Sequence, residues 1–323
     1  MNYKPLIIVL GEPRSVFIEI FLKTFKILKK KIKRPLVLIG SIKLLKYQIQ
    51  YFKYNFKLNE ITLAEIKFLN NNNYINIINV DLDIKEPFQK KFKNSNIYIK
   101  NSFDIALSLL KQKQAVGLLN GPISKKKFLK KSFEGITEYL RHKTLSKNAA
   151  MIIYNEKLSV SPITTHVPIK LVNKKITKKN IIEKILLVNK FYKKYLRIRP
   201  NIAVLGLNPH CETIDVYSEE DKIITPAIKI LKNKKIKITG PFPADTFFIN
   251  LKEKNFNLVI GMYHDQVLIP IKSIFKFNAI NITAGLPFLR VSPDHGPNEN
   301  MISRNLSDPT SLTKSILFFE NIS

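Results

Sequence analysis

One cysteine, Cys211, stands in 323 residues, so no disulfide can close within the chain. A single thiol fits a reducing cytoplasm. No uninterrupted apolar run reaches the length of about 18 residues that spanning a bilayer requires, which argues against a membrane segment. The apolar run at residues 6–10 leads directly into Gly11-Glu12-Pro13 with no small-residue cleavage site, so it reads as a first strand. No GxGxxG follows any strand-like run, and Walker A, CxxC, GxSxG and HExxH sequences are all missing. Their absence removes the Rossmann fingerprint and the common nucleotide, thiol and hydrolase motifs. Arginine is also scarce, with seven among 54 basic residues. Nucleic-acid readers lean on arginine for bidentate contacts to phosphate and base edges. The formal charge of +30 is carried by lysines spread from end to end in company with Ile and Asn. That distribution reads as a compositional bias and argues against nucleic acid as a partner, although a positive field still attracts anionic substrates.

The chain is 45% hydrophobic, with 21 Phe and 12 Tyr, which is ample for a packed interior. Its length predicts two lobes or one large α/β unit with a split core. No internal repeat or Gly/Ser linker divides it. The recurring pattern is a short apolar run, a turn signal and then an amphipathic stretch. Strands are predicted at residues 6–10, 35–40, 115–119, 152–154, 158–163, 202–207, 258–262 and 279–282. Helices are predicted at 15–33, from Ser124 onward, at 179–195 and at 219–232. This alternation implies α/β layers around a largely parallel sheet. Residues 70–73 read as a surface loop. The Ile/Asn-rich segment that follows, to about Asn96, reads as a small antiparallel excursion or as compositional bias.

Three of the five histidines share one setting. His166, His210 and His264 each fall just past the end of a predicted buried strand. In open α/β sheets ligands bind at that edge. Three imidazoles delivered there could converge on a divalent metal and leave an open position for substrate. A histidine after a strand also serves as an ordinary capping or surface residue, and spacing alone leaves both readings standing. Downstream, Lys272, Asn281 and Arg290 combine an ammonium, an amide and a guanidinium suited to a carboxylate or phosphate. Lys272 alone reads equally as solvated surface. Arg290 is more telling, because arginine is retained there in a chain rich in lysine. Asp245-Thr246, after Gly240-Pro-Phe-Pro, reads as a helix cap or as a catalytic carboxylate. Asp265, beside His264, could orient that ring or handle a proton.

Eight segments in order resemble the 4-hydroxythreonine-4-phosphate dehydrogenase (PdxA) family of vitamin B6 synthesis. They are GEP at 11–13, NGPISK at 120–125, TEYL at 137–140, TTHVP at 164–168, GLNPH at 206–210, GPFPADTFF at 240–248, MYHDQ at 262–266 and NITAGLPFLRVSPDHG at 281–296. The resemblance implies a two-domain α/β/α fold like that of isocitrate and isopropylmalate dehydrogenases. The first domain would hold residues 1–135 plus 296–323, and the second 136–295. It implies NAD or NADP bound without a Rossmann motif, near His295 and Gly296. One divalent ion (Zn, Mg or Co) would sit on His166, His210 and His264, with the substrate on Thr137, Lys272, Asn281 and Arg290. Asp245 and Asp265 would serve proton transfer. It further implies a cytoplasmic homodimer with a shared active site. The reaction would oxidise a small phosphorylated hydroxy acid, 4-phosphohydroxy-L-threonine, to a 3-keto acid that loses CO₂ to give 3-amino-2-oxopropyl phosphate.

The chain departs from the family pattern at four places. Ile136 stands where a histidine usually precedes TEYL. The stretch after His210 reads CETIDVYSEED instead of a longer Gly-rich run. GEP continues as RSVFIEI, and PNENMIS follows Asp294-His295-Gly296. These changes bear on substrate and cofactor preference more than on reaction class. One rival is therefore a paralogue acting on a threonate or erythronate phosphate, which Ile136 favours. The other is a non-catalytic anion- or nucleic-acid-binding protein, which the charge favours and the three histidines oppose.

Overall fold

The computed structural model describes residues 3–322 except 71–72, 125–127, 130–132, 134, 212–217, 250, 252–253 and 295. In chain order the first elements are β1 (Leu6–Val9), α1 (Phe17–Leu28), β2 (Leu36–Gly40), α2 (Ile42–Tyr51), β3 (Leu58–Glu60), β4 (Ile75–Asn79), α3 (Ser95–Lys111) and β5 (Gly117–Asn120). There follow α4 (Ile136–Lys143), β6 (Ala150–Tyr154), β7 (Ser159–Thr164), α5 (Val172–Lys175), α6 (Lys178–Phe191), β8 (Ile202–Leu205), α7 (Thr225–Asn233) and β9 (Ile238–Phe242). The last are α8 (Ala244–Phe247), β10 (Leu258–Tyr263), α9 (His264–Phe275), β11 (Ile280–Ala284), β12 (Leu289–Pro293) and α10 (Thr310–Asn321). The chain forms two compact units, Met1–Ile136 with Phe288–Ser323, and Thr137–Pro287.

In the first unit the strands lie in the order β3-β4-β2-β1-β5-β12, each parallel to its neighbours within the unit among the described residues. Leu6, Ile7, Ile8 and Val9 of β1 are all buried. A strand covered on both faces needs this continuous apolar run rather than alternation, because helices pack on either side. α1 supplies one such layer through Phe17, Phe21 and Phe25. Ser41 starts α2, its Oγ accepting from the Leu44 amide. The segment before Asn96 is not an antiparallel excursion. Its Ile75, Ile77 and Ile78 are buried in the parallel strand β4, between β3 and β2. Asn76 is tolerated there because its Nδ2 donates to Leu36 O and its Oδ1 accepts from Asn59 Nδ2.

The second unit orders its strands β11-β6-β7-β10-β8-β9. β6 runs antiparallel to both neighbours, while β7, β10, β8 and β9 are mutually parallel. Val160, Val259 and Ala203 from three of these strands pack with Leu268 and Ile271 of α9 in one apolar cluster. The predicted helix at 179–195 is α6, capped by the Thr177 hydroxyl, which accepts from the Asn180 amide. The helix expected after Ser124 falls largely outside the described residues. Residues 288–295, expected in the second domain, begin with β12 of the first unit. Leu289, Arg290 and Val291 pair in parallel with Gly117, Leu118 and Leu119 of β5. Among the described residues no helix is long and apolar enough to cross a membrane.

Gly117 of β5 lies opposite Leu289 of β12. A Cβ there would overlap the Phe319 ring and come within 2.6 Å of Leu289 O. Backbone cannot retreat as a flexible side chain can. Gly117→Ala is expected to destabilise the protein by about 1–3 kcal/mol, read as a lower denaturation midpoint.

Candidate active site at the carboxyl edge of the second unit

The strands β7, β10 and β8 are neighbours and parallel, so their carboxyl ends share one edge. His166 follows β7 by two residues, His264 opens α9 immediately after β10, and His210 lies five residues beyond β8. The His166 and His264 rings lie 5.8 Å apart, centroid to centroid. His264 Nδ1 is 2.6 Å from Asp265 Oδ1. A carboxylate on Nδ1 fixes the ring and leaves Nε2 as its ligand-binding nitrogen. His210 Nδ1 lies 3.8 Å from Asp245 Oδ2, and the His210 side chain is 72% exposed. Each of these two imidazoles therefore has its own acid partner. Among the described residues, no three His, Cys, Asp or Glu side chains stand close enough together to form a completed metal-ligand group.

Two side chains hold this edge together. Gln266 Oε1 accepts from Met262 N at 2.7 Å, and its Nε2 donates to Gly206 O at 2.7 Å. One amide thus ties the end of β10 and the first turn of α9 to the end of β8. Thr164 Oγ1 adds a bond from β7 to Met262 O at 2.9 Å. The loop carrying His210 is held by Glu220, which is 2% exposed. Its Oε1 accepts from Leu207 N at 2.6 Å and Asn208 N at 2.8 Å, and its Oε2 accepts from Asn208 Nδ2 at 2.7 Å. Burial pushes the Glu220 carboxyl up, but hydrogen bonds from Asn208 and Leu207 outweigh it and hold the group below the ordinary glutamate value.

Sequence reasoning missed both roles. Gln266 sits inside the quoted MYHDQ run with no function assigned. Ser218-Glu219-Glu220-Asp221 carries a helix-start signal, and the Ser218 hydroxyl does accept from the Asp221 amide. That signal says where a helix begins and nothing of a carboxylate reaching back to residues 207 and 208. The cap expected from Asp245-Thr246 is also corrected: Asp245 lies within the first turn of α8, which Pro243 precedes.

The other candidates are more scattered. Thr137, at the start of α4, places its Oγ1 3.5 Å from Thr283 Oγ1 on β11. Asn281, on the same strand, buries its Oδ1 with no hydrogen-bond partner among the described residues. Lys272 is exposed in the last turn of α9. It lies eight residues from His264, a rise of about 12 Å. Arg290 belongs to the first unit, is 1% exposed, and donates from Nε to Asn120 Oδ1 at 2.8 Å. Gly296 is exposed, with no neighbour within 4 Å of where a Cβ would stand. His295 lies outside the described residues.

The scaffold is a largely parallel α/β sheet that carries histidines and carboxylates where its strands end, the edge at which such sheets bind ligands. The family model for pyridoxal phosphate biosynthetic protein PdxA matches residues 31–318. A 4-hydroxythreonine-4-phosphate dehydrogenase of Sulfurihydrogenibium sp. is 36% identical over 315 residues, covering 96% of each chain. A D-threonate 4-phosphate dehydrogenase of Pectobacterium atrosepticum is 35% identical over 185 residues, 57% of each chain. The solved structure of a putative 4-hydroxythreonine-4-phosphate dehydrogenase from Salmonella typhimurium superposes with a TM-score of 0.84 at 29% identity, over 99% of each chain. The chain belongs to the PdxA family, and it is an oxidoreductase.

The lowered Glu220 carboxyl has a defined pH signature. A group whose folded value is depressed stabilises the protein above its unfolded value and loses that contribution as pH falls through the folded one. Stability is therefore expected to fall on acidification below about pH 4.5, the ordinary value for glutamate. Denaturation midpoints measured from neutral pH downward should drop less steeply in Glu220→Gln, which lacks the titration.

Proposed function

We propose that the chain oxidises 4-phosphohydroxy-L-threonine with NAD or NADP as acceptor and one divalent cation, giving a 3-keto acid that decarboxylates to 3-amino-2-oxopropyl phosphate. The observation that carries this reading is the pair of imidazoles 5.8 Å apart at one strand edge, the His264 ring steered by Asp265. The donor set fits a borderline divalent ion such as Zn or Co, with Mg the poorer match for imidazole. His166, His264 and His210 would hold it, since binding itself supplies free energy to draw donors together. The nicotinamide cofactor is expected near Gly296, whose backbone is exposed. Held by those imidazoles, the cation would ease loss of the hydroxyl proton and steady enolate charge, and the nicotinamide would take the hydride.

The residues of the chain do the rest. Oxidation takes a hydride from the carbinol carbon and a proton from its hydroxyl. Asp245 is suited to receive that proton, since its carboxylate makes only the long contact to His210 among the described residues. Asp265, already bound to His264, orients that ring. Thr137 and the unpartnered Asn281 Oδ1 suit the hydroxyl and ammonium of the substrate. Lys272 suits its carboxylate or phosphate. After CO₂ leaves, the enolate carbon must gain a proton, which the same aspartic acid can return.

We infer a cytoplasmic homodimer that shares its active sites, so that Lys272 serves the partner's site. Leu145, Ile169, Ile269 and Phe277 of the second unit are exposed apolar side chains that a partner would cover. Light scattering should give twice the 37.4 kDa chain mass; a monomer at working concentration would contradict the shared site.

A second reading has a specific feature behind it. Ile136 replaces a polar neighbour of Thr137, which suits D-threonate 4-phosphate, a substrate without the amino group. The decisive assay follows NAD⁺ and NADP⁺ reduction with both substrates in metal-replete buffer. Turnover of 4-phosphohydroxy-threonine at least tenfold more efficient supports the first reading, and the reverse order supports the second. His210→Ala should abolish metal-dependent turnover in a folded protein; full activity with metal chelated would refute the assigned site.

A further inference from the structure

His210 has a left-handed backbone, with φ of 56°, and Cys211 follows at 60°. Two consecutive non-glycine residues in that region cost free energy and persist only where surroundings hold them. The His210 side chain is itself largely exposed, so packing does not hold it. What holds the turn lies just before it. Leu207 N and Asn208 N both donate to one oxygen of the buried Glu220, Asn208 Nδ2 donates to the other, and the same Nδ2 reaches Glu219 Oε2 at 2.8 Å. Gly206 is glycine for the same reason: a Cβ there would stand 2.5 Å from Cys211 Sγ and 2.9 Å from Glu220 Oε1.

We infer that Glu220 is a positioning residue for metal binding, anchoring through residues 207 and 208 the strained turn that presents His210. This rests on the proposed metal reading. The anchor is short and charge-assisted, and such bonds are roughly twice as strong as neutral ones. It also comes from the π-helical turn leading into α7, an element separate from the strand that carries the loop. Without it, His210 would still exist but would sample many positions, and one imidazole of the set would have to be ordered anew at each binding event.

Glu220→Gln tests this. Gln keeps the shape but turns an amide NH₂ against the Asn208 NH₂ or against the backbone amides. The readouts are Co²⁺ affinity by calorimetry, the visible Co²⁺ spectrum and kcat against KM, beside circular dichroism and melting. Removal of an outer partner of a metal ligand weakens binding by about 10–100-fold. A fall of that size in Co²⁺ affinity is expected, with an altered spectrum, a native dichroism spectrum, and turnover regained at saturating Co²⁺ with substrate KM unchanged. Wild-type Co²⁺ affinity and spectrum in Glu220→Gln, with His210→Ala weakened, overturns the positioning role and leaves the metal site standing. Unchanged Co²⁺ binding in His210→Ala overturns the metal reading and this inference with it. Should Glu220→Gln fail to fold, Asn208→Ala removes the side-chain half of the anchor. A loss of affinity of about threefold or more then supports the role, and wild-type affinity overturns it.

Discussion

Parallel strands covered on both faces admit a polar side chain only where a neighbour satisfies it, as at Asn76, and this constraint organises the protein. β1 is buried from Leu6 to Val9, and β7, β10 and β8 are buried through their centres. Chemistry is therefore displaced to where the backbone leaves the sheet. His166, His210 and His264 all fall at such exits, and because β7, β10 and β8 are adjacent, those exits are adjacent too. Strand order alone is what brings residues nearly a hundred positions apart to one edge.

Strand order brings the loops near one another; polar anchors set them. Gln266 bonds Met262 and Gly206 with one amide, and Glu220 bonds three donors of the next loop with one carboxylate. Both anchors lie on helical segments following strands, so each transmits the position of a packed element to a loop. Buried acceptors of this kind are costly when unsatisfied, which makes the loop position specific as well as stable. His166 and His210 stay exposed, and His264 is half-buried with its side chain 31% exposed.

Much of this was legible before any coordinates. The apolar runs ending in His166, His210 and His264 announced both the strands and the edge, because burial demands continuous apolar residues and the runs stop where it ends. Other features were hidden. The Ile/Asn alternation of β4 looked like composition because Asn76 is satisfied by Asn59 and Leu36, partners 17 and 40 residues away. Arg290 read as a neighbour of Asn281, nine residues earlier, yet it sits on β12 beside Asn120 in the other unit. Closeness in sequence carried no information across the unit boundary at residues 287–288.

Residue order alone was enough for the class of fold, the strand ends at which the three histidines fall and the family to which the chain belongs. Periodicity and short motifs are local properties, and local properties survive being read in one dimension. Which acid serves which imidazole, that Glu220 reaches back to Leu207 and Asn208, and that Arg290 is buried against Asn120 were decided by packing. Those pairings depend on which strands become neighbours, and neighbours are chosen by the burial of the whole sheet rather than by any segment of it.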